Sequence, residues 1–308
     1  MEHHTEKASL ILTCFNEQEN IGQLLNDVLQ QTSKPCEMVI IDAGSTDGTI
    51  DELEKYRATF SAAGIELRVH IQPKAGIAQG RNMAIDLAKA PIIAVTDAGC
   101  RIDPNWLKNI CLPILRGEAD FVGGFYLPVS HTPLQEAVAC LTTAPRPSKH
   151  FMPSSRSVAF RKCVWQRAGK YPEWLQWGED TLFNKNCFDT GARYVVAHNA
   201  IVHWEVRRTW QAIAKQYWRY AYGDGLARRL TWSLAASPLI YATSVLASLI
   251  ASPLWLLLIP AYAISWPLRR GIFSPTKLIY AAGVSGTIQA ARGLGFIKGC
   301  WQRIRNNR

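Results

Sequence analysis

Over the first 126 residues, apolar and polar positions follow two alternating rhythms. Short apolar runs rich in Val and Ile occupy 8–13, 37–42, 65–71, 91–96 and 119–125. Between them, apolar residues recur at helical spacing: Ile21, Leu24, Leu25, Val28 and Leu29, then Ile50, Leu53 and Tyr56, then Met83, Ile85 and Leu87, then Trp106, Leu107, Ile110 and Leu115. Short strands separated by helices imply crossover connections, so the pattern predicts an α/β fold with a doubly wound, mainly parallel sheet. A segment rich in Pro, Ser and Arg (143–157) then breaks the rhythm. Beyond it the pattern predicts a short strand at 157–160, a Trp-rich loop, a helix starting near 180, strands near 193–197 and 201–204, and a helix at 209–222 carrying aromatic and basic residues together.

Leu230 to Leu268 contains no charged residue. As one helix it would be about 58 Å long, nearly twice the roughly 30 Å hydrocarbon thickness of a bilayer. Pro238, Pro253, Pro260 and Pro267 offer bends, and Arg228, Arg229, Arg269 and Arg270 flank the run. A helical hairpin over 230–268, fully spanning or re-entrant, with both flanks facing the cytoplasm satisfies this pattern. A second apolar stretch, 278–297, is interrupted by Arg292 and rich in Gly, which fits an interfacial or third apolar segment. The expected division is a domain at 1–228 followed by a membrane-associated helical region at 229–308. A hydrophobic core helix of a soluble domain is the alternative.

Charge sharpens the picture. Residues 1–205 hold 20 Lys and Arg against 23 Asp and Glu, whereas residues 206–308 hold 14 against the single acid Asp224, so the net +10 belongs to the last third. A generally basic surface would suit nucleic acid; a basic, apolar, Trp-bearing tail points to a membrane surface, with no nucleic acid expected. The eight cysteines form no Cys-X-X-Cys pair. They read as buried thiols in a reducing compartment, and a zinc site is not expected. The polar stretch Met1–Lys7 runs straight into a strand, so no signal peptide is expected and the first two-thirds should stay in the cytoplasm.

In doubly wound sheets ligands bind beyond the carboxyl ends of the strands, and those ends are polar here. The first ends Thr13-Cys14-Phe15-Asn16-Glu17, the second Asp42-Ala43-Gly44-Ser45-Thr46-Asp47-Gly48, and the fourth Asp97-Ala98-Gly99. Ser45, Thr46 or Asp47 suits helix capping, which leaves Asp42 without a task; a carboxylate there suits hydrogen bonds from a base or ribose. The glycine spacing departs from Gly-X-Gly-X-X-Gly, which disfavours a dinucleotide cofactor. Lys74 and Arg81 bring two cations to the same rim, as a phosphate cradle or a solvated basic face. Asp97 either caps the turn before Arg101 or holds Mg²⁺ or Mn²⁺, since an acid beside a diphosphate is repelled without an intervening cation. Ala98 and Gly99 would leave room for the ion and a sugar. In Trp177-Gly178-Glu179-Asp180, Asp180 is an N-cap or a general base beside an aromatic pocket. His203, ending a strand, is a half-buried histidine or a further metal ligand.

These residues, in this order, resemble the family 2 glycosyltransferases of the GT-A fold, over roughly residues 8–222. The resemblance rests on Thr13–Glu17, the Asp42–Gly48 turn, Gly80-Arg81-Asn82, Asp97 and Gly178-Glu179-Asp180, and on Gln216-Tyr217-Trp218-Arg219-Tyr220, which is similar to the family's Gln-X-X-Arg-Trp element. It implies a nucleotide-diphosphate sugar donor. Thr13, Phe15, Glu17 and Asp42 would hold the nucleoside, Arg81 would lie near the diphosphate, and Lys74 and Asp97 would belong to the donor site. Asp180 would remove the acceptor's proton, with inversion at the anomeric carbon, and Trp177, Glu179, Gln216 and Arg219 would line the acceptor side. The metal and cations would stabilise the departing nucleoside diphosphate. One departure matters: Gly99 stands where the family's Asp-X-Asp has its second acid. Either Asp97 and His203 hold the ion with phosphates and water, or metal dependence is weaker than usual. The variant element ends in Tyr220, and polymerising members usually carry more membrane helices, so transfer of a single sugar is expected. The aromatic helix leading into the apolar run implies a lipid or lipid-linked acceptor at the cytoplasmic side of a cell membrane. A catalytically silent nucleotide-binding scaffold and a nucleotidyltransferase of related topology are the rival readings.

Overall fold

The computed structural model describes residues 7–143, 151–229 and 232–306. The first half alternates as its periodicity requires: β1 (Ala8–Cys14), α1 (Gln18–Leu29), β2 (Glu37–Asp42), α2 (Thr49–Lys55), α3 (Arg57–Ala62), β3 (Glu66–Ile71), α4 (Ile77–Leu87) and β4 (Ile92–Val95). A short strand β5 (Cys100–Ile102) precedes α5 (Trp106–Leu115), β6 (Phe121–Val129) and α6 (Pro133–Thr142). Then come β7 (Val158–Arg161), α7 (Lys162–Arg167), α8 (Glu179–Asp189), β8 (Tyr194–Glu205) and α9 (Trp210–Leu226). The remainder is helical: α10 (Trp232–Ile250), α11 (Leu258–Arg269) and α12 (Pro275–Asn306).

Eight strands form one sheet in the order β3-β2-β1-β4-β7-β6-β8-β5. Alternate side chains of each strand serve opposite faces. Leu10, Leu12, Met38 and Ile40 pack with Ile21, Leu24 and Trp106 on one side, while Ile11, Val39 and Ile41 pack with Ile85, Trp165 and Phe183 on the other. Both faces are therefore covered by helices, which explains the near-continuous apolar runs.

The mainly parallel expectation holds for half the sheet. β2 with β3, β1 with β2 and β1 with β4 pair parallel, but β4 with β7, β6 with β7 and β5 with β8 pair antiparallel. An apolar run has no direction of its own, so the runs at 119–125 and 157–160 could not disclose which way they point. The two short strands expected at 193–197 and 201–204 are one continuous strand, and β5, which was not anticipated, pairs with its end.

The chain divides into two compact units, 1–127 with 145–204, and 128–144 with 205–308. In the second unit α9 and α12 meet backbone to backbone. A Cβ at Gly295 would fall 2.3 Å from the Trp218 carbonyl oxygen, one at Gly299 2.2 Å from that of Tyr222, and one at Gly225 2.5 Å from that of Phe296. The 278–297 stretch lies inside α12, which buries Ala281, Val284 and Ile288 along one face.

The 230–268 run becomes α10 and α11, joined through a 3-10 turn at Pro253–Leu257; residues 230 and 231 lie outside the described residues. Among the described residues no helix is long and apolar enough to cross a membrane. α11 has 12 residues, about 18 Å of helix, well short of a hydrocarbon core. The fully spanning form of the expected hairpin therefore has no support.

Candidate active site

Because β1 to β4 run parallel, their carboxyl ends share one edge, and the loops leaving that edge interlock. Asp42 at the end of β2 is fully buried. Its Oδ1 accepts from the amides of Gly44 and Ser45, both at 2.8 Å, and its Oδ2 from Ser45 Oγ at 2.5 Å and Cys14 Sγ at 3.4 Å. The carboxylate folds its own turn. That is the task the sequence left open, and it accounts for burial without a nucleotide. Asp47, just before the Gly48 N-cap of α2, accepts from the Thr49 amide at 3.1 Å and hydroxyl at 2.5 Å, and also from the Gln18 amide at 3.2 Å.

The first loop locks onto this turn. Asn16, at φ +54°, accepts from the Thr46 amide at 2.9 Å and donates its own amide to Ser45 Oγ at 2.8 Å. The Glu17 amide donates to Thr49 Oγ1 at 2.8 Å, and the Glu17 carboxylate accepts from Asn20 at 2.8 Å. Thr13 is half-buried; its methyl lies where a Cβ on Gly80 would come within 2.8 Å, so glycine lets α4 close on β1. Phe15 stays 56% exposed, a large apolar face beside these loops. Lys74, at φ +63°, donates its amide to the Ala43 carbonyl at 2.9 Å and leaves its side chain exposed.

Arg81, on α4, is the charge centre. It is buried, with Nη2 2.9 Å from Asp97 Oδ1, Nη1 2.6 Å from Glu179 Oε1, and its guanidinium carbon 5.4 Å from the Tyr171 ring centroid. Burial opposes its charge, but Asp97 and Glu179 outweigh that and hold it above the usual arginine range. The charge of this enclosed guanidinium is matched by two carboxylates, Asp97 and Glu179. Its neighbour Asn82 fastens the loop before α8, donating to the Tyr171 carbonyl at 2.9 Å and Glu173 at 2.8 Å, and accepting from Trp165 Nε1 at 3.1 Å and the Tyr171 amide at 2.9 Å.

That loop ends at Gly178, whose φ of +80° turns the chain into α8 and sets Glu179 and Asp180 in its first turn. Burial, then the adjacent Asp180, push Glu179 up to about 7 against the pull of Arg81. Asp180 is half-buried. Its Oδ1 accepts from the Thr181 amide at 2.7 Å, and its Oδ2 lies 3.5 Å from both Ser154 Oγ and the Ser155 amide. Trp177 sits half-buried just before this turn.

Arg156 was not singled out from the sequence. It faces Asp97, with Nε 3.9 Å from Asp97 Oδ2. Its guanidinium carbon lies 4.2 Å from the Trp204 ring centroid and 5.8 Å from that of Tyr126. The only sequence signal was its place in the Pro, Ser and Arg segment.

A divalent cation held by Asp97 and His203 does not fit this geometry. The Asp97 carboxylate already faces two guanidinium groups, Arg81 and Arg156. Gly99 contributes no ligand, and His203 Nε2 lies 2.7 Å from Asp103 Oδ1, so its carboxylate partner is Asp103. Among the described residues no three His, Cys, Asp or Glu side chains gather as a metal site. The cleared space expected beside Asp97 is half present. A Cβ on Gly99 would meet nothing within 4 Å, but Ala98 is packed into the core. Gln216 and Arg219 lie on α9 in the second unit, where Gln216 accepts from Arg207 at 3.2 Å and donates to Tyr220 at 2.9 Å.

Comparison with known proteins agrees with this edge. The family described as "Glycosyl transferase family 2" matches residues 9–146, and "Glycosyl transferase family group 2" matches residues 92–281. Over 217 residues the chain is 28% identical to glycosyltransferase AglE of Haloferax volcanii, covering 68% of this chain and 70% of that protein. Over 121 residues it is 31% identical to the dodecaprenyl-phosphate galacturonate synthase of Rhizobium johnstonii, covering 38% of this chain and 35% of that protein. The mannosyltransferase PcManGT from Pyrobaculum calidifontis, solved with GDP-Man and Mn²⁺, shares the fold at a TM-score of 0.62 and 17% identity, over 98% of this chain and 88% of that one. With the family matched across most of its length and the interlocked loops at the sheet edge, the chain belongs to the family 2 glycosyltransferases and is itself a glycosyltransferase.

Proposed function

We propose that this enzyme moves one sugar from a nucleoside-diphosphate sugar to an acceptor hydroxyl or phosphate with inversion, Asp180 taking the proton where the acceptor is a hydroxyl. The observation that carries the reading is the placement of Asp180. It follows Glu179, which is tied through Arg81 to Asp97 at the tip of β4. Its carboxylate is half-buried beside Ser154 and Ser155, a setting that holds one oxygen without a short hydrogen bond, at 3.5 Å from each. As the acceptor oxygen bonds to the anomeric carbon, the bond from that carbon to the diphosphate breaks, its electron pair leaves on the phosphate oxygen, and the proton passes to Asp180. The loops built from Thr13–Glu17 and Asp42–Gly48, with Phe15 exposed and Lys74 nearby, suit the nucleoside and its phosphates.

Replacing Asp180 with Asn should lower turnover by about 10²- to 10⁴-fold while donor binding, read by calorimetry, stays close to wild type. Unchanged turnover would remove Asp180 from the mechanism. Release of pyrophosphate in place of nucleoside diphosphate would favour the nucleotidyltransferase reading instead.

We further propose that the enzyme works at the cytoplasmic face of a membrane on a lipid or lipid-linked acceptor. Two features support this. Leu249, Ile250 and Leu254, around the join between α10 and the 3-10 turn, are 79%, 76% and 71% exposed, with Trp255 beside them. The run itself is uncharged, but the last third of the chain that contains it, residues 206–308, holds 14 Lys and Arg against the single acid Asp224, which suits anionic headgroups. A re-entrant or interfacial attachment needs no spanning helix. The relative from Rhizobium johnstonii carries a polyprenyl phosphate in its name, which makes that class the first acceptor to assay.

A further inference from the structure

We infer that Arg156, and not a divalent cation held by the protein, is the positive group that grips the donor's diphosphate and stabilises the charge that grows on it as it leaves. The inference rests on the glycosyl-transfer reading above and deepens it.

Register places the residue. β4 and β7 pair antiparallel with Ile92 opposite Arg161 and Val95 opposite Val158. Carrying that register two residues further along each strand sets Asp97 opposite Arg156, and the side chains do meet at 3.9 Å. Arg156 therefore stands at the carboxyl end of β4, the edge at which a parallel α/β sheet presents its ligands.

Charge supports the assignment. Of the two arginines beside Asp97, Arg81 is 3% exposed and bridges Asp97 and Glu179. Arg156 is 16% exposed, and its partner Asp97 is 33% exposed. The departing diphosphate needs a cation against it, because among the described residues Asp97, Glu179 and Asp180 bring three carboxylates to this neighbourhood against the guanidinium groups of Arg81 and Arg156. With Gly99 in place of an acid and His203 held by Asp103, no three His, Cys, Asp or Glu side chains gather as a metal site among the described residues.

Rigidity supports it as well. The guanidinium is stacked against Trp204 and near Tyr126, and its Nη1 donates to Ser154 Oγ at 3.1 Å. A planar fork held on an aromatic face is oriented before the substrate arrives, and a guanidinium meets phosphate oxygens with two parallel hydrogen bonds. In the step, the carbon–oxygen bond to the diphosphate breaks, its electron pair stays on the phosphate oxygen, and Arg156 faces that oxygen. The acceptor proton goes to Asp180, and no redox partner is needed.

The test uses the full chain and two readouts. Binding of UDP and GDP is measured by calorimetry in EDTA and in Mn²⁺, for wild type, Arg156→Met and Arg156→Lys. Turnover on a panel of nucleotide sugars is measured under the same conditions. We expect wild type to bind at least one of the two diphosphates in EDTA with affinity within about twofold of that in Mn²⁺. Arg156→Met should lose that binding by more than tenfold and lower turnover by about 10²- to 10³-fold, with an unchanged melting temperature. Arg156→Lys, which keeps the charge and loses the fork, should fall between the two; it carries the test if Arg156→Met does not fold. Diphosphate binding that requires Mn²⁺ and is unaltered in both variants overturns the inference, as does the absence of binding to either diphosphate. Arg156-dependent binding of a diphosphate without sugar transfer by wild type would uphold Arg156 as the group that grips the diphosphate and refute the transfer reading.

Discussion

Arg81 on α4 and Glu179 at the first position of α8 form a 2.6 Å buried ion pair across 98 residues of sequence. The same guanidinium reaches Asp97 at 2.9 Å. One cation thus ties the tip of β4 to the start of the helix that carries Asp180.

Removing one partner of a buried ion pair leaves a charge without compensation, at a cost of about 3–5 kcal/mol. Arg81→Met should therefore unfold at distinctly lower urea concentration than wild type. The double variant Arg81→Met/Glu179→Leu should recover part of the loss, since the buried Glu179 charge is gone and Asp97, partly solvated, still faces Arg156. Equal midpoints for wild type and Arg81→Met would mean that the bridge has no structural weight.

The pH dependence of this group has a definite sign. Burial, then the neighbouring Asp180, push Glu179 up to about 7 from 4.5, so the folded chain keeps a proton that the unfolded chain has released. Its contribution to stability is full below the unfolded value and is lost as pH rises through the folded one. Thermal melts between about pH 5 and pH 8 should show wild type losing stability relative to Glu179→Gln as pH rises. Two parallel curves would contradict this.

Within α12, two glycines should respond in opposite ways to the same methyl group. At Gly299 a Cβ would sit 2.2 Å from the Tyr222 carbonyl oxygen, and backbone cannot step aside as a flexible side chain does. Gly299→Ala should push α9 and α12 apart and cost at least the upper end of about 1–3 kcal/mol. At Gly286 the nearest atom is the Ala263 Cβ at 3.7 Å, an ordinary contact. There the substitution should be neutral or stabilising by up to about 1 kcal/mol, the helix-propensity difference between alanine and glycine. Similar melting shifts in the two variants would contradict the close helix contact.

The membrane proposal has its own measurement. Full-length protein should float with vesicles containing anionic phospholipid and bind less as salt rises, because exposed charge is screened within about 10 Å at 0.1 M. Replacing Leu249, Ile250 and Leu254 with Ser should reduce flotation without lowering the melting temperature, since all three are exposed. A full-length chain that stays in the soluble fraction without lipid or detergent, and does not float, would refute the attachment.

What the sequence by itself determined is local. Alternation and helical spacing located seven of the eight strands and the principal helices, because side-chain direction follows the backbone within a few residues. The order of motifs along the chain was likewise enough to reveal the family. Strand direction and partnership were decided only in three dimensions: the run at 157–160 reads the same either way, yet its antiparallel pairing with β4 is what brings Arg156 to Asp97. Burial was decided there too. Arg81 read as a cation near the diphosphate and Asp42 as a ligand for a base or ribose; that two distant carboxylates enclose the first and that its own turn closes over the second was not visible along the chain. Charge and hydrogen-bond capacity are written in the residue; which partner uses them depends on contacts between segments far apart in the chain, which no periodicity encodes.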